Sequence, residues 1–404
     1  MTITNTLQSE ASHERIHQGL RRRSRARVVA TVCALALLAT ACSSTSESST
    51  ASVVDEAPTT TVEVQAEAEV PDESASSTTE PEPDLIEEAE QEELVEPVGL
   101  VWADGPVEAR PISSDCAAIG EVPVGLQTGA ITSGGLEYDY QWTVPTSYDG
   151  SPLPVVLDFH GLDSDGAQHD EFIQWSALAE EEGFLAVQPN GLPWPDFPRG
   201  WEIPQFDTDP GRNDVAMVLD LLDHIAANVC IDPDRIYSTG FSMGGFFTST
   251  LVCQLSEVIA AAAAVGGINH HNACDPARAV PFLAFHGTDD MVNPFEMLGN
   301  DGGAGTLERD FWEQGMPDVL VEYAAHFGCA GSEDSAVSES VTLTSYTRCD
   351  DDVEVGFYTI DGGGHTWPGS IAFAERASFL GHTTMEIDAS EIAWEFFQRN
   401  SLPR

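Results

Sequence analysis

From about Trp102 onward, short and mostly apolar runs alternate with longer amphipathic stretches. Pro154 to Phe159 leads into His160-Gly161, and Phe184 to Val187 ends in Pro189-Asn190-Gly191. Runs of this length bounded by turn residues read as buried strands. Val215, Val218, Leu219, Leu222, Ile225, Ala226 and Val229 recur at the spacing of one helical face, with Asn213 or Asp214 placed to cap its start. Arg235 to Thr239 reads as a strand ending at Gly240, and Ile259 to Val265, Pro281 to Phe285 and Val353 to Ile360 as three more. A last helix follows Asp388, with Glu391 in a capping-box position and Ile392, Ala393, Phe396 and Phe397 facing inward. The alternation predicts an α/β fold: a mostly parallel central sheet with helices on both faces. No internal repeat is evident.

The first hundred residues break this pattern. Arg21, Arg22, Arg23, Arg25 and Arg27 precede an uncharged apolar run over 28–41, which ends at Cys42. As a helix that run covers roughly 21 Å, short of a bilayer core of about 30 Å. A basic region, a short apolar region and small residues before a cut describe a signal peptide over 1–41. Leu38-Ala39-Thr40-Ala41-Cys42 is similar to a bacterial lipobox, which makes Cys42 the expected lipidation site and a lipid anchor the expected link to a membrane. Ordinary secretion with cleavage near Ala41 is the alternative. Residues 42–98 are rich in Ser, Thr, Glu, Pro and Ala, with no base and no aromatic residue, and carry a charge of −17. They bury too little apolar surface to offset backbone ordering, so a disordered stalk is expected there and the folded domain over 99–404.

Charge and cysteine usage narrow the function classes. The 404 residues contain 16 Lys+Arg against 67 Asp+Glu, a net charge of −51, and every basic residue is Arg. A polyanion is bound mainly through basic residues, so nucleic acid is excluded as a partner. The acidity does not reside in the stalk alone, because residues 99–404 carry 10 − 48 = −38. An anionic, lysine-free surface suggests adaptation to salty surroundings, where screening relieves self-repulsion. Beyond the leader, Cys116, Cys230, Cys253, Cys274, Cys329 and Cys349 form an even set, which in an exported domain predicts disulfides. Proximity in sequence favours Cys253 with Cys274 and Cys329 with Cys349, leaving Cys116 with Cys230. A zinc site is disfavoured because no C-x-x-C pair supports it.

Gly240-Phe241-Ser242-Met243-Gly244 sits between a predicted strand and a predicted helix. A sharp turn there lifts the Ser242 hydroxyl out of the sheet, flanking glycines remove colliding side chains, and the Met243 N–H is aimed to stabilise an oxyanion. A serine needs a base and an orienting acid. His286-Gly287-Thr288-Asp289-Asp290 and Gly362-Gly363-Gly364-His365 each follow a strand, at the sheet edge where open α/β sheets bind ligands. His365 is the expected base. Asp290 is preferred to Asp289 as the acid on motif register. His160-Gly161-Leu162 ends an earlier strand, so the Leu162 N–H is the expected second oxyanion donor and His160 a packing residue.

These residues resemble the esterase/polyhydroxyalkanoate depolymerase family of α/β-hydrolases, which includes poly(3-hydroxybutyrate) depolymerases, feruloyl and acetylxylan esterases and LpqC-like lipoproteins. The resemblance runs from about Cys116 to the C-terminus. It is carried by Leu157 to Gly161, Pro189-Asn190-Gly191 with Gly200-Trp201, Asn213 to Ala216, Cys230 to Arg235, Gly240 to Gly245, His286-Gly287-Thr288 with Asp290, and Gly362 to Gly369. It implies an α/β-hydrolase fold with Ser242 as nucleophile, Asp290 as acid and His365 as base. The implied activity is hydrolysis of a carboxylic ester, by a polyhydroxybutyrate depolymerase-like enzyme or alternatively a feruloyl or acetylxylan esterase. The substrate is then a polyester oligomer or a feruloylated or acetylated polysaccharide, and no metal or organic cofactor is required. A binding lipoprotein that keeps the fold without catalysis would lack a triad member, and all three are present.

Trp201, Trp367 and Phe241, together with Trp194, fall in segments expected near the site, where rings could line a substrate groove or serve as packing. The Gly-rich stretch 300–305 could lengthen the pocket rim. Asp207, Asp209, Asn213 and Asp214 fit a helix cap and turn better than a calcium loop, because the bidentate Glu is missing. Asn269-His270-His271-Asn272 could ligate a metal, and a polar loop after a strand explains it as well. Neither acyl preference nor oligomeric state is written in the sequence.

Overall fold

The computed structural model describes residues 107–194, 197–203, 212–269, 276–296, 315–376 and 379–403. The leader, Cys42, the stalk, Cys274, Asp207, Asp209, the 270–272 segment and the 300–305 stretch lie outside the described residues. Among those described, no helix is long and apolar enough to cross a membrane.

The chain opens with two strands, β1 (Gly125–Ser133) and β2 (Leu136–Val144), then β3 (Leu153–Phe159), helices α1 (Gly166–Ile173) and α2 (Trp175–Glu182), and β4 (Leu185–Pro189). A two-stranded hairpin of β5 (Leu192–Trp194) and β6 (Phe197–Gly200) precedes α3 (Asp214–Asn228), β7 (Ile231–Phe241), α4 (Met243–Gln254) and β8 (Ala261–Val265). There follow β9 (Phe282–Gly287), α5 (Met316–His326), β10 (Gly331–Ala336), β11 (Val341–Thr347), β12 (Val355–Ile360), α6 (Ile371–Arg376) and α7 (Ala389–Arg399). The main sheet has the order β1-β2-β4-β3-β7-β8-β9-β12-β11-β10. Its centre, β4 to β12, is parallel, and both edges are antiparallel, β1 and β2 beside β4 and β11 and β10 beside β12.

The expected central strands and the three expected helices, α3, α4 and α7, are present. Asn213 caps α3, its side chain accepting from the Ala216 N–H, and Asp388 caps α7, accepting from Ser390 and Glu391. Strand β7 starts four residues earlier than Arg235. Its pairing with β3 slips between Leu153↔Ile231 and Val155↔Ile236, so Pro233, which has no N–H to give, falls in the irregular stretch.

Side chains alternate across the central strands and build two cores. Val155, Leu157 and Phe159 of β3 pack with α3 and α4 on one face. Val156 packs on the other with Trp175 of α2 and Phe396 and Phe397 of α7. Chain order reverses at β3, whose two neighbours are β4 and β7. A crevice opens at such a reversal, beyond the carboxyl ends of the strands. Two disulfides tie the periphery, Cys116–Cys230 and Cys329–Cys349, in the expected pairing. Cys253 is also disulfide-bonded.

Candidate active site

Ser242 stands at the end of β7, beside that crevice. Its backbone is left-handed, φ 55° and ψ −120°, a conformation costly for a side chain with a Cβ and held here by its surroundings. The Ser242 N–H donates to the Val265 carbonyl (2.9 Å), and the Gly245 and Phe246 N–H groups close onto the Ser242 carbonyl. The turn is tight enough that a Cβ on Gly244 would collide with the carbonyls of Phe159 and His160 at the end of β3. Met243, the first residue of α4, has no intrahelical acceptor for its N–H.

The second expected oxyanion segment lies against this turn. An added Cβ on Gly161 would stand 3.4 Å from the Ser242 Cβ, which brings Gly161-Leu162 alongside Ser242. His160 anchors the segment from below. Its ring accepts the Gly191 N–H at Nε2 (2.9 Å) and donates from Nδ1 to the Gly161 carbonyl (2.7 Å). Burial pushes the imidazole down to about 3, so it remains neutral and can keep accepting.

Asp290 and His365 meet across neighbouring parallel strands β9 and β12. The His365 Nδ1–H donates to Asp290 Oδ2 at 2.7 Å, with both side chains at most 5 % exposed. The two loops are laced together: Thr288 N–H to Ile360 O (2.9 Å), Asp289 N–H to Gly363 O (2.9 Å), and Gly362 N–H to Thr288 Oγ1 (2.8 Å). Asp290 Oδ1 accepts from the N–H groups of Val292 and Asn293. Burial raises the Asp290 carboxyl, but the His365 hydrogen bond and charge, His286 and the Asn293 N–H outweigh it and hold it below the usual carboxylate range. Asp289 is exposed and does not share this environment.

Strand β8 separates β7 from β9, so the imidazole must reach over its end. Gly266, at φ 65°, closes β8. A Cβ there would stand 3.1 Å from the Phe241 ring and 3.3 Å from His365 Cε1. The Phe241 ring itself packs on His365, centroids 4.7 Å apart. Gly266 was not singled out in the sequence, because its partners come from segments 25 and 99 residues away. His286, named above only as part of its motif, is buried; its Nε2–H donates to the Asn293 carbonyl (2.8 Å) and lies 3.3 Å from Asp290 Oδ2. Arg212 was not singled out either: buried, paired with Asp214 at 2.6 Å, and donating to the Gly200 and Leu192 carbonyls, it fixes the β5–β6 hairpin.

The aromatic residues expected as a lining are set behind the site. Trp201 is fully buried, stacked on Phe247, with its indole N–H donating to the His160 carbonyl (2.8 Å). Trp367 is 1 % exposed and donates to Ser390 Oγ (3.0 Å). Phe241 faces inward against His365 and Phe373. Each packs into a core, Trp201 with Phe159 and Phe247 on one side of the sheet and Phe241 and Trp367 with the cluster on the other. The Trp194 side chain lies outside the described residues.

A family model for the prolyl oligopeptidase family matches residues 171–294, from within α1 to just past the Asp290 loop. Together with the sheet order and the Ser242 turn, this decides the fold. The chain has the α/β-hydrolase fold. Among curated proteins, this α/β-hydrolase chain is 30 % identical over 266 residues to feruloyl esterase B of Piromyces equi, covering 64 % of this chain and 44 % of that protein. It is 28 % identical over 239 residues to a bifunctional acetylxylan esterase/xylanase of Neocallimastix patriciarum, covering 58 % and 31 %. It is 31 % identical over 116 residues to poly(3-hydroxyalkanoate) depolymerase C of Paucimonas lemoignei, covering 28 % of each. The matches thus span less than half the length of each of these relatives.

Proposed function

We propose that the protein is a serine esterase acting through an acyl-enzyme. The observation that carries this reading is the 2.7 Å bond between His365 Nδ1 and Asp290 Oδ2, formed on the loops that flank the strained Ser242 turn. In this reading His365 Nε2 takes the proton of Ser242 as Oγ attacks the ester carbonyl. The oxyanion is held by the Met243 and Leu162 N–H groups. His365 then returns the proton to the leaving alcohol and activates the water that hydrolyses the acyl-enzyme, with Asp290 holding the tautomer throughout.

For the substrate, the similarity to feruloyl and acetylxylan esterases is longer than the similarity to the depolymerase, 266 and 239 residues against 116. It favours feruloylated or acetylated polysaccharide over polyester, reversing the order expected from the sequence. Disulfides support an exported enzyme, since they persist in oxidising compartments. A leader over 1–41, a lipid at Cys42 and a stalk over 42–98 would tether the domain to the envelope.

The test is hydrolysis of methyl ferulate, acetylated xylan and hydroxybutyrate oligomers by the full chain and its Ser242→Ala variant. Turnover of an ester that Ser242→Ala loses supports the reading, and undiminished turnover in the variant overturns it. Recovery of the mature protein in the aqueous phase of a detergent partition would overturn the lipid anchor.

A further inference from the structure

A second histidine–carboxylate pair lies buried in the layer behind the site, and the mechanism makes no use of it. Asp158, on β3 one residue before its end, is fully buried, and its Oδ1 accepts from His169 Nε2 on α1 at 3.1 Å. Its other oxygen, Oδ2, has no hydrogen-bond partner among the described residues. Burial raises the Asp158 carboxyl against the opposing pull of His169. Replacing a buried ion pair by well-packed apolar groups is often neutral or stabilising, so such a pair is poor evidence of a stability role.

Its placement joins the two halves of the proposed machinery. Asp158 shares its sheet face with Val156 and, across the parallel pairing with β7, with Thr239. Two residues beyond Thr239 on that face comes Phe241, which packs on His365. The His169 ring meets Trp367 edge-on, centroids 6.2 Å apart, two residues after His365. Helix α1 is fastened to the same loop at its far end, where Ser370 Oγ donates to the Phe172 carbonyl (2.6 Å), and to α7, where Ser390 Oγ donates to the Ile173 carbonyl (3.3 Å). On the other side, β3 runs directly into His160-Gly161-Leu162, the proposed oxyanion segment. The Asp158–His169 bond is therefore a polar tie between the strand that ends in the oxyanion segment and the helix that buttresses the His365 loop.

We propose that His169 and Asp158 are positioning residues, fixing the oxyanion segment and the His365 loop in mutual register. The proposal rests on the esterase reading above. An apolar layer alone lets α1 slide over the sheet, because dispersion contacts have little directionality. A hydrogen bond of fixed length and angle does not. Displacement of about 1 Å at the reacting groups costs on the order of 10²-fold in rate.

The experiment compares the full chain with His169→Leu, His169→Gln and the double variant Asp158→Leu/His169→Leu, measuring kcat, KM and Tm on one p-nitrophenyl ester. The double variant removes the polar pair without leaving a lone buried charge. The expected result is a folded double variant with kcat reduced roughly 10- to 100-fold and KM within about twofold of the parent. His169→Gln, which keeps a donor of similar reach, should recover most of kcat. A folded double variant with parental kcat overturns the proposal. Should the leucine variants not fold, His169→Gln decides: retained kcat supports the tie, and a folded glutamine variant with kcat lowered tenfold or more overturns it. A parent chain with no ester turnover would instead overturn the esterase reading itself.

Discussion

His365 donates its Nδ1–H to Asp290 Oδ2 at 2.7 Å while its ring rests on Phe241, the residue before the proposed nucleophile. The hydrogen bond fixes the tautomer and the ring contact fixes the tilt, leaving Nε2 as the free nitrogen. Asp290→Asn would present an amide where the imidazole needs an acceptor. Turnover is expected to fall by roughly 10⁴ with little change in Tm. Steady-state kinetics on a p-nitrophenyl ester check this, and a loss under tenfold would count against Asp290 as the orienting acid.

Gly266 is the second sensitive point. An alanine there must adopt φ near 65° and press on both Phe241 and His365. The left-handed backbone costs about 1–2 kcal/mol, and the displaced imidazole should lower kcat by about tenfold or more. Comparison of kcat and Tm in Gly266→Ala separates the two effects, since a loss of stability with parental kcat would show that the ring had not moved.

Acid stability should depend on buried imidazoles. The folded His160 titrates near 3 and the unfolded one near 6.5, so between these values the unfolded chain binds the extra proton. Stability contributed by the neutral ring is full above about pH 6.5 and is lost as pH falls toward 3. Burial lowers His286 in the same direction. Urea unfolding between pH 7 and pH 4 should show a steep loss in the parent and a shallower one in His160→Gln. Parallel curves would show that His160 does not carry the dependence.

The two described disulfides close loops of very different length, with sequence separations of 114 for Cys116–Cys230 and 20 for Cys329–Cys349. The chain-entropy model gives about 5 kcal/mol for the first and about 3 kcal/mol for the second. Paired Cys→Ala variants should therefore lose more Tm at 116/230 than at 329/349. The reverse order would place the stabilisation in the native state.

A charge of −38 over residues 99–404, with no lysine, should make the fold salt-dependent. Screening lengths shrink from about 14 Å at 0.05 M to about 3 Å at 1 M, so Tm is expected to rise over that range. A flat Tm across the series would remove salt adaptation as the meaning of the acidity.

Much of this site was legible in the sequence. The Ser242 turn and His365 after its glycine run stand out by local pattern, because strand, turn residues and chemistry lie within a few consecutive positions. Asp289 and Asp290, by contrast, share one loop, and only the fold sets Asp290 against His365. The edge strand Gly331–Ala336 was not legible, since it is polar and largely exposed and gives no alternation to read. The place of Trp201 and Trp367 was not legible either. A tryptophan near a motif reads alike whether it faces the ligand or the core, and only the sheet's two-sided packing settled it.

By itself, the sequence determined which residue types stand at the ends of which strands, because turn geometry and strand periodicity act over short range. The tertiary structure alone decided how those ends meet. Asp290 reaches His365 because β9 and β12 are parallel neighbours. His365 passes over β8 because Gly266 leaves room. Asp158 finds His169 because α1 lies against the same face of the sheet. The first two join segments far apart in sequence and the third spans only 11 residues, but all three are set by strand order and packing, which leave no periodic trace along the chain.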